Sequence, residues 1–192
     1  MKIFLLRHTS LDVDPDTFYG QTDIDVSKNF LKEVDIIKNK ISAMGIDLTK
    51  LKIFSSPLKR CIKLSKEIAS EFDIDDRIKE MNLGDWEMKK MKEISNDQKN
   101  EWENNLLSFK IPNGESNSEF LARLNDFLQS ILTLKTDVLI VCHAGSINGM
   151  ISILTDEPFE KLVKNYWEKI KHGSLSLVEI EKDEARIRYV GK

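Results

Sequence analysis

The stretch 136-TDVLIVCHAGSI-147 decides the fold. Its apolar residues, Val138 to Cys142, leave no polar face, the pattern of a strand covered on both sides, and such strands belong to parallel sheets flanked by helices. The run ends abruptly in His143, and small residues, Ala144 to Ser146, lead into a helical stretch. The amino terminus repeats the device. Lys2 to Leu6 reads as a buried strand, and Arg7 and His8 follow at once.

Working outward, the remaining segments alternate between short apolar runs and amphipathic stretches. Residues 11–27 read as a loop, because Pro15, Gly20 and scattered Asp residues interrupt every period. Ser27 is placed to cap a helix reaching about Met44, with Leu31, Val34, Ile37, Ile41 and Met44 on one face and Gly45 at its end. The run 51-LKIFSS-56 gives a second strand, and Pro57 suits the first position of a helix whose face is Leu58, Ile62, Ser65, Ala69 and Phe72. An extended piece is expected near 76-DRIKEMNLGDWE-87, then a charged helical stretch over 95–109 and a turn at 110-KIPNGES-116. Phe120, Leu124, Phe127, Leu128 and Ile131 mark another helix; further helices are expected near Ser146 to Leu154 and Glu160 to Trp167, and two alternating strands at 174–181 and 185–191. This order predicts an α/β fold, a three-layer α/β/α sandwich with a mostly parallel central sheet, as a single domain over 1–192.

Charge and cysteines narrow the function. A formal net charge of −3 and the lack of a basic stripe argue against a nucleic-acid partner, so any anion site must be built locally. Cys61 and Cys142 lack disulfide-framework or metal-ligand spacing and read as buried free thiols. No apolar run reaches the roughly 20 residues of a membrane span, and the amino-terminal run is too short for a signal core; the expectation is a soluble, cytoplasmic protein with no membrane partner.

Parallel sheets bind ligands beyond the carboxyl ends of their strands. Here those ends deliver Arg7, His8 and His143, with Arg60 about one helical turn past its strand. Two guanidiniums offer paired donors that match phosphoryl oxygens, and a histidine with one nitrogen fixed by a carbonyl presents the other as a nucleophile. The leaving alkoxide then needs a proton. Glu80, beside the Gly-Asp-Trp turn, is the candidate general acid, and Glu87 is its rival.

The motifs "LLRHT", "FSSPLKRC", "IKEMNLGDWEM", "IPNGES" and "VLIVCHAGSI", in this order, resemble the histidine phosphatase superfamily, which includes cofactor-dependent phosphoglycerate mutases. Within it, "FYGQTDIDVS", "GDWEM" and "IPNGES" are similar to the bacterial alpha-ribazole phosphatases, which act late in assembly of the cobalamin lower ligand. The resemblance implies a phosphoglycerate mutase-like fold and a phosphate monoester hydrolase needing no metal or cofactor. His8 would be the phosphorylated nucleophile, Glu80 the proton donor, His143 the second histidine of the phosphate pocket, and Arg7 and Arg60 the phosphate ligands. The loop Tyr19, Gly20, Gln21, Thr22 would border the site. Thr9 and Ala144 stand where the family most often has Gly, which implies a reshaped pocket, and "RCIKLS" departs from its pattern after the second Arg.

Each residue also has a plainer reading. Arg7 and Arg60 could be surface cations, His8 and His143 satisfied core histidines, and Glu80 a surface partner of Arg77 or Lys79. His172, before Gly173, reads as a turn or helix-end residue. Glu115 and Ser116 either cap the next helix or border the pocket. For function, a small-molecule phosphate monoester is the expected partner, alpha-ribazole 5′-phosphate leading. The alternatives are a broad sugar-phosphate or nucleotide phosphatase, a mutase, which the short segment between Glu80 and His143 disfavours, and a silent phosphate-binding protein. A homodimer is left open.

Overall fold

The all-apolar run 138–142 becomes β4 (Val138–Cys142), buried at every position inside a six-stranded sheet. The computed structural model describes residues 1–182 and 184–192. Its other strands are β1 (Lys2–Arg7), β2 (Lys52–Ser55), β3 (Asp73–Ile74), β5 (Leu175–Glu181) and β6 (Glu184–Tyr189), in the order β3-β2-β4-β1-β5-β6. The pairs β3·β2, β2·β4 and β4·β1 are parallel, while β5 and β6 close one edge antiparallel. The mostly parallel sheet of the sequence reading is therefore found.

Alternation along the strands sorts the core into two layers. Ile3, Leu5, Val138 and Ile140 face α4 (Asn117–Leu132), α5 (Ala144–Thr155) and α6 (Phe159–Tyr166). Phe4, Leu6, Leu139 and Val141 face α1 (Phe30–Ala43) and α2 (Lys59–Ile68). A smaller cluster, Trp86, Ile94, Phe109 and Ile111 with Trp102, lies beneath the segment that carries α3 (Asn96–Asn104). Among the described residues no helix is long and apolar enough to cross a membrane.

Three local expectations are corrected. Ser27 does not open α1: its buried hydroxyl pairs with Ser10, and the helix begins at Phe30 with Val34, Ile37 and Ile41 inward, leaving Leu31 66% exposed. In α2 the buried face is Arg60, Cys61, Leu64, Ser65 and Ile68, and the helix stops before Ala69 and Phe72. Arg60 can turn inward because backbone carbonyls receive it; Pro57 lies ahead of the helix, whose first amide, Lys59 N–H, donates to Asp23 at 2.7 Å. Residues 76–87 form no strand. They hold two 3₁₀ turns, Asp76–Ile78 and Gly84–Trp86, because side chains satisfy their backbone groups: Arg123 donates to the carbonyls of Arg77, Lys79 and Glu80, and Asn82 N–H donates to Glu115.

Candidate active site

The β1·β4 register sets Arg7 opposite Cys142, so His8 and His143 leave the sheet side by side. His8 N–H donates to Cys142 O at 3.1 Å, and the two imidazole centroids lie 5.2 Å apart. Both residues are about 1% exposed. The separate strand ends read from the sequence thus meet at one point.

His8 Nδ1 lies 2.7 Å from the carbonyl of Thr9; only a protonated Nδ1 satisfies that oxygen, which leaves Nε2 with its lone pair. Burial, followed by His143, Arg60 and Arg7, holds the His8 pKa well below 6.5, so the ring is a neutral nitrogen base. The Thr9 hydroxyl is buried and has no partner among the described residues. His143 accepts from Arg60 Nε at 3.3 Å through Nδ1, so its Nε2–H donates to Ser56 Oγ at 2.8 Å. Its pKa is likewise held well below 6.5, by burial and then by Arg60, Arg7 and Arg123. The Cys61 sulfur lies 3.6 Å from His143 Nε2, and burial pushes its thiol up to about 12. Cys61 and Cys142 are free and buried, as expected, and remain protonated at neutral pH.

The guanidiniums are anchored from outside. Arg60, fully buried, donates from Nη1 to Thr22 O at 2.9 Å and from Nη2 to Gly20 O at 2.6 Å, and lies 5.6 Å from the Tyr19 ring centroid. Arg7 donates from Nη1 to Ile170 O at 2.7 Å and from Nη2 to His172 Nε2 at 3.1 Å; its Nε is buried without a partner among the described residues.

Glu80 is held at the start of α5, two residues past His143: Oε2 accepts from Gly145 N–H at 2.9 Å and Oε1 from Met81 N–H at 3.1 Å. A β-carbon at Gly145 would lie 2.4 Å from Glu80 Oε1, so a glycine is needed for this approach. The rival is spent elsewhere. Glu87 accepts from the amides of Gly20, Gln21, Thr22 and Leu83 and from the Thr22 hydroxyl, and these hydrogen bonds outweigh burial and lower its pKa. The Tyr19 to Thr22 loop lies against Arg60 through the carbonyls of Gly20 and Thr22, and Gln21 Nε2 donates to Glu80 O at 3.0 Å.

Sequence reasoning missed two participants. His172, read as a turn residue, stands 5.3 Å from the His8 ring and 3.3 Å from the Tyr19 hydroxyl. Arg123, bound to Glu115 at 2.7 Å, fixes the backbone that carries Glu80. Neither carried a local signal: one precedes a glycine turn and the other is a single cation in an amphipathic helix. Ser116 caps α4 in a capping box with Glu119, leaving Glu115 for Arg123. Among the described residues no group of three or more His, Cys, Asp or Glu side chains is placed to hold a metal.

This geometry offers a neutral nitrogen nucleophile beside two guanidiniums and a second imidazole, with a carboxyl group near the same helix start. Residues 3–192 match the family model described as the histidine phosphatase superfamily (branch 1). The chain is 24% identical over 201 residues to a Hydrogenobacter thermophilus protein named "Putative phosphoserine phosphatase 2", covering 100% of this chain and 95% of that one. Its fold is similar to the alpha-ribazole phosphatase of Shigella flexneri (TM-score 0.85, 22% identity, 100% and 96% covered). It is similar also to a mutant of Entamoeba histolytica phosphoserine phosphatase in complex with phosphoserine (TM-score 0.84, 18% identity, 100% and 96% covered).

Proposed function

We propose that this chain, which belongs to the histidine phosphatase superfamily (branch 1), hydrolyses phosphate monoesters in two steps through a phosphohistidine on His8. The observation that carries this reading is the His8 imidazole, fixed by Thr9 O through Nδ1 and kept neutral beside Arg7 and Arg60. In the first step Nε2 attacks phosphorus, the bond to the ester oxygen breaks, and Glu80 gives that oxygen a proton. In the second, Glu80 takes a proton from water, the water oxygen attacks phosphorus, and the P–N bond breaks, returning the electron pair to Nε2. Arg60 keeps two of its five N–H groups beyond those given to Gly20, Thr22 and His143, and Arg7 keeps Nε. These donors are assigned to the equatorial oxygens, where charge develops, while His143 accepts from Arg60 Nε and so helps to aim that guanidinium.

The leading substrate is alpha-ribazole 5′-phosphate, supported by the "FYGQTDIDVS", "GDWEM" and "IPNGES" motifs. Phosphoserine is the second reading, favoured by the relative that matches the whole chain. The buried free thiols agree with a cytoplasmic setting.

His8→Ala should abolish both turnover of an aryl phosphate and trapping of acid-labile phosphate on the protein; full activity in that variant overturns the mechanism. A panel of monoesters ranked by kcat/KM, with phosphoserine, sugar phosphates and alpha-ribazole 5′-phosphate, tests the substrate. A mutase assay far outrunning hydrolysis would overturn hydrolysis as the main reaction.

A further inference from the structure

His172 belongs to none of the motifs that mark the site, yet its imidazole touches the site twice. Its Nε2 lies 3.1 Å from Arg7 Nη2 and 3.3 Å from the Tyr19 hydroxyl. His8 itself is almost wholly covered, whereas His172, 5.3 Å from it between ring centroids, is exposed. From these contacts we propose that His172 is a positioning residue that sets the aim of the Arg7 guanidinium on the phosphoryl group, a role that rests on the phosphatase reading above.

Arginine offers only donors. A hydrogen bond from Arg7 Nη2 to His172 therefore requires a lone pair on Nε2 and the ring proton on Nδ1. Burial, then Arg7 and Arg60, pushes the His172 pKa down to about 4, which keeps that lone pair available at neutral pH. The same short segment supplies the second anchor, since Ile170 O accepts from Arg7 Nη1 at 2.7 Å. Gly173 N–H donates to His8 O at 3.0 Å and ties this segment to the nucleophile's own backbone. The guanidinium is held at both Nη atoms by residues 170 and 172, and its buried Nε–H finds no partner among the described residues. Buried N–H groups are rarely left unpaired, and an anion's oxygen meets this donor's need. Without the His172 acceptor, Arg7 would keep its charge but lose one of its two fixed points, which should weaken the grip on phosphate more than it disturbs the fold.

The test uses inorganic phosphate binding by calorimetry together with turnover of an aryl phosphate. His172→Phe keeps the ring's bulk without an acceptor; His172→Gln keeps an acceptor at similar reach. Phe is expected to weaken phosphate binding by about 10-fold and Gln to restore it to within about 3-fold of the parent protein. In an Arg7→Ala background His172→Phe should cost no more than about 2-fold, the non-additivity expected of a residue acting through Arg7. Equal phosphate affinity in the parent and Phe proteins, failure of Gln to rescue, or full additivity with Arg7→Ala would each overturn the proposal. A parent protein that shows this ranking of phosphate affinities but hydrolyses nothing would overturn the phosphatase reading and leave the role of His172 standing.

Discussion

The two histidines of the site and its two carboxylates are held in place by different physics. His8 and His143 stand directly beyond β1 and β4, whose side chains are packed on both faces, so their backbones inherit the register of the central sheet. Glu80 and Glu87 stand on an irregular segment, and hydrogen bonds between side chains and backbone set their positions. A packed core resists displacement in every direction, whereas a polar network holds only while each donor keeps its acceptor. His8 thus rests on the more rigid half, and Glu80 and the Tyr19 to Thr22 loop on the half that can be detached piece by piece.

Arg60 joins the halves, because it touches His143 from one and the carbonyls of Gly20 and Thr22 from the other. Arg60→Ala should therefore have the largest effect among variants that leave His8 in place, about 10²–10³ lost in kcat, read by aryl phosphate turnover. A loss below 10-fold would mean that the halves are not coupled through this side chain. Gly145→Ala sharpens the contrast. Its methyl group would displace the Glu80 carboxyl while leaving His8 and Arg7 in place, so kcat should fall by about 10² with phosphate affinity little changed.

Glu87→Gln attacks only the polar half. Five N–H or O–H donors converge on that carboxylate, and an amide nitrogen would face some of them. A rise of about 10-fold in KM is expected, together with a lower melting temperature, because each buried donor left unpaired costs about 1–3 kcal/mol. The smallest effect is on stability against pH. The unfolded chain takes up protons on its histidines below about 6.5, while folded His8 and His143 do not, so stability should decline as pH falls through that value, by up to about 1.4 kcal/mol per unit for each ring. The lowered pKa of Glu87 works in a lower window: its contribution is complete above its ordinary 4.5 and disappears as pH falls through its folded value. Urea unfolding at pH 7, 6 and 5 should show the histidine slope, and His8→Ala should reduce it by one proton's worth.

The same contrast explains what could be read in advance. Val138 to Cys142 and Ile3 to Leu6 announce buried strands because burial on two faces leaves a contiguous apolar run, and the histidines follow them in the chain. The face of α4 was legible for a similar reason, since Phe120, Leu124, Phe127, Leu128 and Ile131 repeat at helical spacing. The face of α2 was not. Periodicity assigns a cation to solvent, and Arg60 is inside because carbonyls from a loop forty residues away receive it. Residues 76–87 misled in the opposite way, looking extended while their backbone groups were bound to Arg123 and Glu115.

By itself, the sequence determined the layered α/β architecture, the strand ends that bear the reactive side chains and the family they resemble, because apolar periodicity and ordered motifs are local properties of a chain. Tertiary structure alone decided which donors each carboxylate accepts from, how the guanidiniums were anchored, and that His172 stands beside His8. Those outcomes depend on hydrogen bonds between residues far apart in the chain, and no short window of sequence contains both partners.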